Sequence, residues 1–116
     1  MEFKFINVDY IEEVCDNSHD LIREMAGIFR EQVSEFRNEM KKLHDDEQYY
    51  DLGLLAHKAK SSIAIMGMDN LTHKLKELEL NAKEGLKPES YPLLIDEFTR
   101  QTDEALKELD SYLESL

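Results

Sequence analysis

One histidine, His57, stands in a run of small and apolar side chains, Ala56-His57-Lys58-Ala59-Lys60-Ser61-Ser62-Ile63-Ala64-Ile65-Met66-Gly67, with a lysine three residues on. On a helix, residues three and four apart are neighbours, so His57 shares a stripe with Lys60 and Ser61 ahead and with Gly53 and Leu54 behind. An imidazole has a reference pKa of about 6.5, so its neutral form is well populated near pH 7 and can attack phosphorus to form a phosphoramidate. Lys60 would offset the negative charge of a phosphoryl group carried there, and Lys58, about 100° round the helix, would add a weaker positive field. A close charge pair gains about 4 kcal/mol at an effective dielectric of 20, but exposed pairs net only about 0 to 1. Lys60 would therefore steady the group without trapping it, which suits a carrier that must accept and release at comparable cost.

Competing chemistries lack their parts. General acid/base hydrolysis needs a second poised group and an oxyanion site, and no loop here gathers them. There is no Gly-rich phosphate loop, no Ser-centred elbow, and no spaced Asp and Asn set for nucleotide and magnesium, so a phosphoryl donor has to come from elsewhere. A di-iron bundle would use Glu-x-x-His motifs, yet none of His19, His44, His57 or His73 has a glutamate three residues before it. His19 and His44 fall near helix ends and His73 lies opposite an apolar stripe, so all three read as solvent histidines.

Helices must position His57. From the candidate N-cap Ser18, the residues Ile22, Met25, Phe29, Val33, Phe36, Met40 and Leu43 recur at alternating threes and fours, predicting one long helix. A second helix is expected over 46–66, with Leu52, Leu55, Ala59, Ser62, Ile63 and Met66 on one side and Gly67 ending it. Asp69 is the expected cap of a third, which carries Leu71, Leu75, Leu78 and Ala82 and ends at Gly85. Pro88 and Pro92 mark the turn into the next helix. The fourth follows Tyr91, Ile95, Phe98, Thr102, Ala105, Leu109, Tyr112 and Leu116. Residues 9–15, with Tyr10, Ile11 and Val14, read as a short leading helix covering one end. The expected fold is all-α: an up-down four-helix bundle with a short extra N-terminal helix, one domain over 1–116.

Rotation of about 100° per residue places Leu52, Leu55, Ile63 and Met66 within about 40° of Ala59, and His57 about 160° away. That far side also carries Tyr50, Gly53, Leu54, Ser61, Ala64 and Ile65, where a solvated helix would show Glu, Lys and Gln. A glycine inside a helix costs about 1 kcal/mol relative to alanine, and clearance for a second protein would be one reason to keep it. The competing reading buries this helix on most sides, with Gly53 and Ser61 permitting close helix packing.

Composition limits the partners. A chain of 116 residues supports one modest core, and 34% charged with 41% apolar residues favours a folded helical protein. Twenty-six acidic side chains against 14 basic ones give a net charge of −12, which repels phosphate backbones and anionic lipid alike, so no nucleic acid and no membrane partner is expected. No stretch approaches membrane-spanning length, the first seven residues lack a leader-like apolar core, and Cys15 is the only cysteine, all of which fit a cytoplasmic protein. The start at Met1 without a linker favours a free-standing protein. Four stripes on one chain can satisfy one another, so a monomer is expected.

These residues resemble the histidine-containing phosphotransfer (HPt) domains of two-component phosphorelays, over almost the whole chain. The resemblance lies in His57, Lys60 three residues on, the small pair Ser61-Ser62, and Gly67 ten residues on, followed by Leu71, Leu75, Leu78-Glu79 and Ala82 to Gly85. It implies that His57 accepts the phosphoryl group, that Lys60 stabilises it, and that the surface around Gly53, Leu54, Ser61 and Ala64 belongs to a docking face. It implies also a response-regulator receiver domain and a hybrid histidine kinase as partners, magnesium on the receiver, and no cofactor or metal on this chain. Such a protein is a carrier and not an enzyme with turnover of its own. Ser61 stands where the family commonly has glycine, which narrows the room for an incoming aspartyl phosphate. The alternative is a helical adapter that binds a signalling partner through the same face without phosphate.

Overall fold

A computed structural model describes residues 3–116. Its helices are α1 (Val8–Val14), α2 (His19–Asp45), α3 (Tyr49–Ile65), α4 (Asp69–Glu84) and α5 (Tyr91–Glu114), with a single 3-10 turn, Pro88–Ser90, leading into α5. No strand occurs among the described residues. The helices pack as a bundle, in a shape of 43 × 21 × 21 Å. α2 and α3, α3 and α4, α4 and α5, and α5 and α2 touch in turn, so α2 to α5 close a ring, and the α3–α4 pairing is the most extensive.

Local chemistry explains most boundaries. Ser18 does cap α2, its hydroxyl accepting from the Leu21 amide at 3.3 Å, and the Asn7 side chain caps α1 by accepting from the Tyr10 amide at 3.1 Å. α3 begins at Tyr49 and not at 46, because Glu47 turns left-handed (φ 56°) and breaks the chain between α2 and α3. Asp69 is not the cap of α4: Met68 holds that position and Asp69 is the first helical residue, where its carboxylate faces the positive end of the helix dipole. Gly85, in the left-handed conformation at φ 68°, closes α4, with the Leu86 amide donating back to the Asn81 carbonyl at 2.8 Å.

The ring encloses Ile22, Phe29, Val33, Phe36 and Met40 from α2, Leu52, Leu55, Ala59 and Ile63 from α3, Leu71, Leu75 and Leu78 from α4, and Tyr91, Phe98, Ala105 and Leu109 from α5. The stripe of α5 drifts from its expected line: Leu94 and Gln101 are buried, while Ile95 and Leu116 are only half-buried. α1 packs on α3 at one end, where the Asn7 amide donates to the Met66 carbonyl at 2.9 Å. Gly67 serves that junction. It sits at φ 72°, and a Cβ there would lie 2.5 Å from Cβ of Asn7, so a side chain would push the leading segment off the bundle.

Candidate functional site

α3 is flanked on two sides, and this decides where each of its candidate residues points. Its buried arc runs from Leu55 and Ile63 through Ala59 to Ala56 and Gly53, leaving Tyr50, Leu54, His57, Lys58, Ser61 and Ile65 exposed and Ala64 half-buried. The His57 side chain is 63% exposed. Gly53 is not on the open face. It is buried beneath α4, where an added Cβ would lie 2.9 Å from the Glu79 carbonyl oxygen and 3.0 Å from the Lys83 amide nitrogen. At about 120° from Ala59, Gly53 lies on the flank that α4 covers, and the reading that gave it to helix packing holds for this residue. His57, some 40° further round, clears the edge of α4.

That close approach brings α4 side chains to the imidazole. His57 Nδ1 lies 2.9 Å from Glu79 Oε2, Lys60 Nζ donates to Glu79 Oε1 at 2.9 Å, and Lys83 Nζ donates to Glu79 Oε2 at 3.1 Å. Glu79 is buried, with only 6% of its surface exposed. Burial alone would raise its pKa, but the hydrogen bonds from Lys60 and Lys83, the Lys60 charge and the bond from His57 together bring it down to about 2. Glu79 is therefore an anion at neutral pH and can only accept. Nδ1 must carry the ring proton, which leaves Nε2 of a neutral ring with its lone pair free on the exposed side.

Lys60, expected to offset the charge of a phosphoryl group on His57, is thus already engaged by Glu79 and only a quarter exposed. Sequence reasoning missed Glu79 and Lys83 as members of the site. A signal existed: Glu79 lies about 70° from the centre of the Leu71-Leu75-Leu78-Ala82 stripe, on its flank, with Lys83 one turn on. A carboxylate so near an apolar stripe needs a partner on the neighbouring helix.

On the other side of His57 the surface is apolar. Ser61, Ser62 and Ile65 of α3 line a groove with Val14 of α1 and with Leu21, Met25 and Ile28 of α2. Val14, Leu21 and Ile28 are each about half exposed. The Ser62 hydroxyl donates to Gln32 Oε1 at 2.8 Å and ties α3 to α2 along this groove. No group of three or more His, Cys, Asp or Glu placed to hold a metal ion occurs among the described residues.

A family model for the Hpt domain matches residues 24–115, which takes in α3, α4, α5 and most of α2. The chain belongs to the Hpt-domain family. Hpt domains are phosphocarriers that work by histidine phosphotransfer in two-component systems, in contact with receiver domains and kinases. No curated protein and no solved structure matches the chain. In this Hpt domain α1 and the Cys15 that ends it lie outside the matched region, yet Val14 and Cys15 contribute to the groove beside the histidine. Among the described residues, no helix is long and apolar enough to cross a membrane.

Proposed function

We propose that this protein accepts a phosphoryl group on His57 from the aspartyl phosphate of a receiver domain and passes it to a second receiver domain in a phosphorelay. The observation that carries this reading is the exposed imidazole whose Nδ1 is held by a buried, ionised Glu79. Nε2 attacks phosphorus in line, the P–O bond to the aspartyl group breaks, and the electron pair leaves with the carboxylate. The ring becomes a phosphoimidazolium. Its positive charge forms beside the Glu79 anion, and the Nδ1 proton stays on the ring throughout, so forward transfer needs no separate acid or base. The return step reverses this sequence at similar cost, because no group on the chain is consumed.

Lys60, one turn from His57, stabilises the phosphoryl oxygens, and Lys58 adds to the local positive field. The receiver docks on the apolar surface beside the imidazole, with Leu54, Ser61, Ala64 and Ile65 of α3 and the groove against α1 and α2. Ser61 is the point at which that approach is narrower than glycine would make it. Magnesium belongs to the receiver and this chain brings no cofactor of its own. A hybrid histidine kinase upstream, a cytoplasmic setting and a monomeric carrier over 1–116 complete the proposal.

The test is phosphotransfer from a phosphorylated receiver to the purified protein. The wild type gains an acid-labile, base-stable label, and His57→Gln gains none while keeping its helical spectrum. A His57→Gln protein labelled like the wild type would overturn the assignment. An adapter that works without phosphate would bind its partner unchanged as His57→Ala and never take up label.

A further inference from the structure

Glu79 holds more cations than the neutral state needs. Lys60, from the helix that carries His57, takes Oε1; Lys83, from the same helix as Glu79, shares Oε2 with the imidazole. The two lysines differ in freedom. The Lys83 stem is seated on the backbone of Gly53, whose absent Cβ would lie 2.8 Å from Lys83 Cγ, and Lys83 reaches Glu79 from one turn along α4. Lys60 stands on the His57 side of the carboxylate, one turn from the ring.

We propose that Lys83 is a positioning residue that keeps Glu79 paired while Lys60 moves to the phosphoryl group on His57. This rests on the phosphoryl-carrier reading. A phosphoryl group at Nε2 brings two negative charges beside a carboxylate that is almost fully buried, and the single charge of Lys60 cannot neutralise both. With Lys83 fixed on Oε2, Lys60 can leave Oε1 and the Nδ1–H bond to Glu79 survives. Without Lys83, the carboxylate and the phosphoryl group compete for one ammonium. No bond to hydrogen or phosphorus changes in this exchange; only the partner of the Lys60 ammonium does.

The prediction concerns the lifetime of the phosphorylated protein. Lys83→Met shortens it by about fivefold, close to the effect of Lys60→Met, and Lys83→Arg restores it. In the Glu79→Gln background, where no anion competes for Lys60, adding Lys83→Met changes nothing. A normal lifetime in Lys83→Met would overturn the proposal. So would a shortening that persists in the Glu79→Gln background, which would mean that Lys83 touches the phosphoryl group directly.

A second arm needs no phosphate, so it separates this proposal from the carrier reading. Lys60→Met stands in for the state in which Lys60 has left. Nitrogen-15 spectra of its histidine ring are expected to keep the Nδ1–H tautomer at pH 8, where an ordinary imidazole is neutral, and Lys60→Met/Lys83→Met to lose it. Loss of that form in Lys60→Met alone would contradict a holding role for Lys83, whatever the labelling result.

Discussion

A single carboxylate organises the chemistry of this protein at the residue scale. Glu79 fixes the tautomer of His57, engages Lys60 and Lys83, and remains charged although buried. Its pKa is held down to about 2 in the folded state, against an ordinary carboxyl value of 4.5. A carboxyl held below its unfolded value contributes stability that is fully present above about pH 4.5 and is lost as pH falls through about 2. Those two values correspond to about 3 kcal/mol at neutral pH. Glu79→Gln removes the titrating group, so the stability gap between wild type and variant is expected to narrow by that amount between pH 5 and pH 2. Urea unfolding at several pH values measures it. Parallel pH curves would show that Glu79 is not held as an anion.

At the scale of elements, the site is made by how closely α3 and α4 pack, and Gly53 sets that distance. Helix propensity alone makes Gly53→Ala stabilising by about 1 kcal/mol. The added Cβ would meet backbone atoms of Glu79 and Lys83 at 2.9 and 3.0 Å, so α4 must shift. Overpacking of this kind costs about 1 to 3 kcal/mol. Gly53→Ala is therefore expected to lower the unfolding midpoint and to slow phosphoryl acceptance, since Glu79 moves with α4. A stabilised variant with normal transfer would contradict this account of the α3–α4 contact.

The same contact shows why part of the site was legible in the sequence and part was not. His57, Lys60 and Ser61 lie on one helix, where spacing fixes their relation, and the exposure of His57 followed from rotation about the axis. The apolar stripes of α2, α4 and α5 predicted a bundle because each of those helices has one dominant buried side. α3 is buried through a wider arc, so its residues at intermediate angles could be assigned to a partner helix or to solvent only with the neighbour in place. Gly53 was misplaced for that reason. Glu79 and Lys83 stood in the sequence as an i, i+4 pair at the edge of the apolar stripe, which signals a partner, but nothing within α4 says which residue of another helix they face. Where α3 starts depended on a left-handed turn at Glu47, a residue type that does not announce one.

At the scale of the whole molecule, α2 to α5 close a ring that leaves the His57 imidazole at the surface, between an ionic cluster and an apolar groove. The chain carries a net charge of −12, yet Lys58, Lys60 and Lys83 gather around His57, so the positive field is local to the point of transfer. The bundle supplies position and charge, and the docked receiver supplies the reactive phosphate. The central claim is that Glu79 reserves Nδ1 and leaves Nε2 to react. Phosphorus–proton correlation spectra of the phosphorylated protein identify the linked nitrogen directly. A phosphoryl group on Nε2 of His57 is the result expected; linkage through Nδ1, or to any residue other than His57, would contradict it.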